Sequence, residues 1–351
     1  MAINVNAFFT LIAAAALYWL GDWLVRRLSL VRRYCIPAPL VGGALFAVAN
    51  TYLYTSGQDY FVFDSVIQSV FMVVFFTAAG FAVRMPLLRQ GGKAVIRVLV
   101  LAAALTLAQN VLGIGVLATM GADPRLGLAV GSMSLMGGPA TAAAFGPMLD
   151  AAGAAGSSAA GLIAAVLGVI SGGIFCNRLH ETEVEAPDSR PDVNRVISCI
   201  ALMLFCMGTS YILIGAFSAA TGFSVPWFVG SMLLAAVVRN TTLMTDEEIP
   251  DREAQAASKV CFGLFVTMAM MNLRIWELAE LSGPLAVALA AQIILLVWFI
   301  GAMVRPRMAD DTAGILPALV GSSGETSGSA VILLLNAFVV SAMIPIVSLF
   351  V

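Results

Sequence analysis

The sequence predicts an all-α integral membrane protein of about ten transmembrane helices, arranged as two inverted five-helix repeats that each carry a re-entrant hairpin. Three observations predict it. The chain of 351 residues is 60% hydrophobic and only 11% charged, with a mean hydropathy of +0.97 and apolar runs of roughly 18 residues or more. Its basic residues divide unevenly between alternate loops. Its two halves share short stretches in the same order.

The spans fall at about 5–24, 37–54, 65–83, 95–119, 156–177, 196–217, 224–238, 260–276, 283–304 and 330–351. The first apolar run, Phe8 to Leu20, has no Lys or Arg before it and no small-residue cleavage site after it, so a retained helix is expected rather than a removed signal. If the N-terminus is outside and every span crosses once, Arg26, Arg27, Arg32, Arg33, Arg84, Arg89, Lys93, Arg97, Arg178, Arg190, Arg195, Arg239, Arg252, Lys259, Arg305 and Arg307 lie inside. Only Arg125 and Arg274 of the 18 basic residues remain outside. That asymmetry is what the positive-inside rule demands, and it places both termini outside.

The polar stretch "RLHETEVEAPDSRPDVNR" reads as a cytoplasmic linker, residues 179–195, between a first repeat over 1–178 and a second over 196–351. The halves then compare as follows. "IPAPLVGGALFAVAN" from Ile36 resembles "SVPWFVGSMLLAAVVRN" from Ser224, and "FFTAAGFAVR" resembles "FVTMAMMNLR", with Thr77 matching Thr267 and Arg84 matching Arg274 at an offset of 190. "DPRLGLAVGSMSLMGG" from Asp123 loosely resembles "DDTAGILPALVGSSG" from Asp310. Five spans per half is an odd number, so the second half enters the membrane in the opposite sense; this architecture is typical of secondary transporters.

Between the fourth and fifth spans, about 35 residues must leave and return on one side, too apolar for a solvated loop and too short to cross twice. A re-entrant hairpin near 125–150 satisfies both constraints, with its tip at "MGGPAT", where Gly137, Gly138 and Pro139 break the helix. Unwound backbone at that depth must line an enclosed, watered site, where a helix N-terminus suits a carboxylate and carbonyls and hydroxyls suit a cation. The alternative is a tightly packed Gly/Ala/Pro loop in which Ser132, Ser134 and Thr141 bond back to their own turns. A second, shortened hairpin is expected near 311–329, with a tip "LVGSSGETSGSA" carrying Gly324, Ser322, Ser323, Glu325, Thr326 and Ser327; a flexible surface loop fits that composition equally.

Other chemistry is poorly represented. The five cysteines, Cys35, Cys176, Cys199, Cys206 and Cys261, are scattered without metal-ligand spacing and read as small buried hydrophobes. His180, the single histidine, sits in the charged linker. No Ser-His-Asp set, phosphate loop or acid pair occupies a span, so neither an enzyme nor a nucleic-acid binder is expected, and no cofactor. The intramembrane polar residues are Gln109, Asn110, Gln292, Asn272 and Asn336, each explicable by interhelical hydrogen bonding. With no Asp or Glu at span centres, a bound cation must rely largely on neutral oxygens.

Four stretches carry a family resemblance: "CIPAPLVGGALFA", "RQGGKAVIRVLVLAAALTLAQNVLGIG", "DPRLGLAVGSMSLMGGPATAAAFG" and "MAMMNLRIWELA". Together, in order from Val31 to Ala309, they resemble the sodium/glutamate symporters of prokaryotic inner membranes. The resemblance implies two inverted five-helix repeats with re-entrant hairpins, import of glutamate or a similar anionic amino acid with Na+ as coupling ion, and a homodimer in the inner membrane. With the two tips as the site, substrate contacts are expected at Ser134, Gly137, Gly138, Pro139, Ala140, Thr141, Gly324, Glu325, Thr326 and Ser327; the resemblance matches Gly137, Gly138 and Thr141 of these. Ion contacts are expected at Thr141, Gln109, Asn110, Ser322, Ser323 and Asn336.

Two departures qualify it. The family's first tip usually reads Ser-Gly-Gly-His-Gly-Thr, and here Met136, Pro139 and Ala140 stand in place of Ser, His and Gly. The second tip runs almost directly into "VILLLNAFVV", with about 6 residues after Gly324 where the first repeat has about 20 after Gly137 before its next span. A sodium-coupled hydroxycarboxylate carrier and a non-transporting sensor or structural subunit are the alternative readings.

Overall fold

A computed structural model of the chain describes residues 2–34, 36–85, 92–176, 193–222, 225–241, 250–279, 281–304 and 327–348. Its elements are β1 (Ala2–Val5), α1 (Ala7–Arg27), α2 (Ser29–Arg33), α3 (Ala38–Thr55), β2 (Tyr60–Phe63), α4 (Val66–Phe81), α5 (Gly92–Thr119), α6 (Leu126–Val130), α7 (Ser132–Leu135) and α8 (Gly138–Ala151). They continue with α9 (Ser157–Cys176), α10 (Val193–Thr221), α11 (Trp227–Asn240), α12 (Asp251–Met271), a 3-10 turn (Ile275–Leu278), α13 (Ser282–Phe299) with a π-helical extension, and α14 (Ser327–Ser348). Each of the ten stretches expected to span overlaps a helix within the described residues, although the one at 260–276 runs past the end of α12 at Met271. Among the described residues, five helices are long and apolar enough to cross a membrane: Ala7–Arg27, Val95–Thr119, Val193–Thr221, Asp251–Met271 and Ser282–Met303. Five shorter apolar helices accompany them.

Helix starts follow local chemistry. Asn6 caps α1, its side-chain oxygen accepting from the Phe9 N–H at 3.0 Å, and Arg26 and Arg27 occupy the last turn, where the helix dipole favours cations. Pro37 and Pro226 precede α3 and α11 with nearly the same backbone, φ −64° and ψ 143° against φ −61° and ψ 140°. A fixed φ and a missing N–H suit proline to a helix start.

Two groups of helices emerge from the packing. In one, α4 lies against α11 and α12, α12 against α3 and α1, and α10 against α11. In the other, α9 packs along α8, α5 against α6 and α13, and α14 against α5 and α7. Within the first group two crossings answer each other. Gly80 of α4 meets α11 so closely that a Cβ would stand 2.8 Å from that of Ala235, while Gly43 of α3 meets α12, where a Cβ would stand 3.1 Å from the Thr267 carbonyl oxygen. Both crossings lack room for a side chain on the glycine helix. Phe228 of α11 joins the groups, with ring centroids 4.6 Å from Phe76 and 5.0 Å from Phe145 of α8.

The two ends of the first group are built differently. At one, Asp251 pairs with Arg84 and with Arg239 at 2.9 Å, and the Asn240 amide bridges the chain leaving α4, accepting from Met85 N–H and donating to the Val83 carbonyl, both at 2.7 Å. At the other lies a departure from the all-α expectation: β1 pairs in parallel with β2, Ala2 opposite Tyr60 through Val5 opposite Phe63. An isolated two-stranded pair is marginal. Here side-chain amides engage the strand further: Asn50 bonds the Phe61 N–H and carbonyl at 2.8 and 2.9 Å, and Asn272 those of Phe63 at 3.0 and 3.3 Å. A sequence reading that counted only apolar runs could not anticipate those long-range partners.

Candidate functional site

The segment from α6 to α8 is a helical hairpin, and it is buried throughout residues 126–146. Its open end is tied by Arg125, which pairs with Asp123 at 2.6 Å and donates to the Ala152 carbonyl at 2.5 Å, joining the start of one limb to the end of the other. Burial works to raise the Asp123 pKa, but the hydrogen bonds from the Arg125 side chain and backbone, with its charge, more than offset this and hold the carboxyl below its ordinary value. Asp150 leaves the second limb to cap α9, accepting from the Ser157 N–H at 2.7 Å and from Ser158.

The first limb is broken twice rather than once. At Gly131 the backbone turns to φ −90° and ψ −132°, and the freed Ser132 N–H finds the Asn110 side-chain oxygen at 3.1 Å. A Cβ on Gly131 would stand 3.0 Å from that same oxygen. The second break is at the expected tip: α7 stops at Leu135, Gly138 takes the left-handed φ of +69°, and α8 begins there. Pro139 occupies the first turn of α8, where it starts a helix rather than interrupting one.

Around these breaks the structure gathers most of the expected ion-contact residues that it describes. Gln292 of α13 donates to the Gln109 carbonyl of α5 at 2.6 Å; Asn336 of α14 donates to the Ser132 carbonyl at 3.1 Å; Asn110 donates to the Met343 sulfur at 3.1 Å. A Cβ on Gly137 would overlap both Thr141 Oγ1 and Asn336 Nδ2, so Thr141 belongs to the same neighbourhood. Four buried oxygens, Gln109 Oε1, Gln292 Oε1, Asn336 Oδ1 and Ser132 Oγ, have no hydrogen-bond partner among the described residues. Gln109 Nε2 is likewise unpartnered among the described residues, and each buried polar group left so costs about 1–3 kcal/mol.

The remaining expectations divide. Ser134 and Thr141 do bond back to their own turns, Ser134 to the Ala129 carbonyl and Thr141 to that of Gly137 at 2.9 Å, as the packed-loop alternative anticipates, whereas Ser132 Oγ does not. Ala140 is buried in the first turn of α8. Gly324, Glu325, Thr326, Ser322 and Ser323 lie outside the described residues, with most of the 179–195 linker, and Ser327 opens α14. Gln292 and Ser132 were absent from the expected site. An isolated glutamine in "LAAQIILL" was the available signal, and its partner lies 183 residues away.

A cavity of about 500 Å³ opens beside the second limb, between the helix groups. It reaches α8 at Ala143 and Pro147 and is lined across from them by Gln68, Arg274, Trp276 and Glu277. Among the described residues, Arg274 is the only cationic one lining it, and it touches Glu277 at 3.3 Å.

Comparison with known proteins places these features in a family. The family model described as sodium/glutamate symporter matches residues 3–185 and 177–340. The chain is 30% identical over 314 residues to the sodium/glutamate symporter of Escherichia coli strain K12, covering 83% of this chain and 78% of the relative. It is 28% identical over 328 residues to the sodium/glutamate symporter of Haemophilus influenzae, covering 85% and 80%. A multi-pass arrangement of apolar helices around a buried, broken hairpin, matched along nearly its whole length, makes this chain a member of the sodium/glutamate symporter family.

Proposed function

We propose that the protein carries glutamate across a bacterial inner membrane by sodium-coupled symport. The observation that carries the sodium half is the group of unpartnered neutral oxygens at Gln109, Ser132, Gln292 and Asn336. A monovalent cation that exchanges during transport suits neutral oxygen donors, and a buried carboxylate is not required. Thr141 and Asn110 complete the ion-contact set, and Gly137 to Thr141 offer an N-terminal helix turn, opened by Gly138, to the substrate carboxylate. The corresponding Gly80 and Gly43 crossings, the paired Pro37 and Pro226 starts and the 190-residue offset support two inverted five-helix repeats, with α6 to α8 as a re-entrant hairpin. The charge partition supports termini on the outer side. A homodimer follows from the family resemblance alone.

Proteoliposomes test the reading. Radiolabelled glutamate should accumulate only under an inward sodium gradient, with aspartate competing better than malate or citrate. Gly138→Leu should abolish accumulation, because leucine neither takes that φ nor leaves room at the tip. Asn336→Ala should raise the half-saturating sodium concentration about ten-fold, the effect of losing one cation-bound oxygen. Sodium-independent uptake, or unchanged sodium dependence in Asn336→Ala, contradicts the assignment.

A further inference from the structure

The cavity beside α8 presents a set of groups that the tip does not use. Its polar lining includes two carboxylates, and one is already committed: Asp150 caps α9 through Ser157 and Ser158. The other, Glu277, faces Arg274 at 3.3 Å with the Arg274 side chain 55% exposed. A solvent-accessible ion pair of that length is worth about 0–1 kcal/mol, so it opens readily to a competing partner. Only one of the five guanidinium N–H donors is engaged by it. Gln68 of α4 is 9% exposed and lines the same cavity.

We propose that Arg274 and Glu277 form an outer selection site for a free α-amino acid, Arg274 receiving the α-carboxylate and Glu277 the α-ammonium, with the Gln68 amide taking the far carboxylate. The proposal rests on the transport reading above and extends it to how substrate is chosen before it reaches the hairpin. A guanidinium and a carboxylate that now satisfy each other are the complement of a zwitterion, which replaces one internal pair by two external ones. A dicarboxylate without an ammonium group would engage Arg274 while leaving Glu277 facing an anion, and a like-charge contact disfavours it. The cavity volume lies within the range of small-molecule sites, about 300–1,000 Å³. Ala143 and Pro147 in its wall lead along α8 to Thr141, one turn or less from the tip.

Right-side-out and inside-out vesicles separate this site from the tip. Arg274→Gln should raise the KM for external glutamate about ten-fold and leave the KM from the opposite face unchanged, as expected for loss of a charge-assisted bond. Arg274→Lys, which keeps the charge without the fork, should fall between. Glu277→Gln should narrow the preference for glutamate over glutarate about five-fold or more, since glutarate lacks only the ammonium. Binding is read independently in detergent from Trp276, which lines the cavity and stacks on Tyr54 at 4.2 Å. Glutamate should change its fluorescence in the wild type and in Gly138→Leu, but not in Arg274→Gln, and Trp276→Phe should remove the signal. A KM shift of equal size from both faces, an unchanged glutarate preference in Glu277→Gln, or a full fluorescence response in Arg274→Gln overturns the proposal. Normal transport by Gly138→Leu would overturn the tip assignment alone.

Discussion

Arg84 and Arg274 stand 190 residues apart in matching stretches, yet they meet opposite circumstances. Arg84 shares Asp251 with Arg239, whose side chain is 1% exposed, and the chain beside it is braced by Asn240. Arg274 pairs with Glu277, on its own 3-10 turn, and lines a cavity. The first arrangement joins elements from both halves of the chain: α4 and its exit, α11 and α12. The second joins nothing distant. The two arginines of the matching stretches thus sit in a three-residue ion cluster at one end of the helix group and in a sequence-local pair at the other, and the proposed selection site uses the second.

The largest expected difference lies in the carboxylates. Asp251→Ala removes the carboxylate shared by Arg84 and the buried Arg239, and should cost about 3 kcal/mol of stability, read as a lower unfolding temperature of the purified protein in detergent. Glu277→Ala should leave that temperature nearly unchanged, within about 1 kcal/mol. Equal losses in the two variants would erase the contrast between the ends.

The asparagines come next. Asn50 and Asn240 also stand 190 residues apart, and each bonds both a backbone N–H and a carbonyl of a neighbouring segment. Asn50→Ala should cost about 2 kcal/mol, because two partly buried backbone groups lose their partners at once, and Asn240→Ala about 1–2 kcal/mol, since its Met85 bond is exposed. Matched losses would sharpen the comparison: the two ends would be braced alike by amides and differ only in their ions. A much smaller loss at Asn50 would assign the strand's stability to its pairing with β1.

Much of this could be read from the residues in order. Apolar runs located the helices, and Gly137, Gly138 and Pro139 located the tip, because each signal is local and has a direct backbone consequence. The proline was misjudged in its role. It opens α8 instead of breaking a helix, a distinction that depends on the turn before it. Gly131 escaped notice because "LGLAVGSM" reads as continuous helix; its break is stabilised by Asn110, on another element. Gln292 was expected to make an interhelical hydrogen bond and does, but its partner, the Gln109 carbonyl 183 residues away, was not legible, nor was β2, engaged by asparagines of α3 and of the segment after α12. Local chemistry was legible, and features created by distant partners were not.

The smallest effect concerns the clasp at the open end of the hairpin, where Asp123 and Arg125 give a third kind of ion pair. It is sequence-local like Arg274–Glu277 but less exposed, with side chains 14% and 21% exposed for Arg125 and Asp123, and Arg125 also reaches the Ala152 carbonyl. The Asp123 carboxyl is held below its ordinary value of 3.8, so the folded protein binds its proton less readily than the unfolded chain does. Its contribution is therefore complete above that ordinary value and is lost as pH falls through the lower, folded value. Stability measured from neutral pH down to about 5 should show no change from this group, with a decline setting in below that as the unfolded chain takes up the proton. Asp123→Asn should remove that part of the decline and lower stability at neutral pH by about 1 kcal/mol or less, reflecting the partial exposure of the pair. An unaltered acid profile in Asp123→Asn would mean that the Arg125 bond to Ala152, rather than the carboxylate, holds the two limbs together, and the clasp would then resemble the exchangeable end of the molecule more than the locked one.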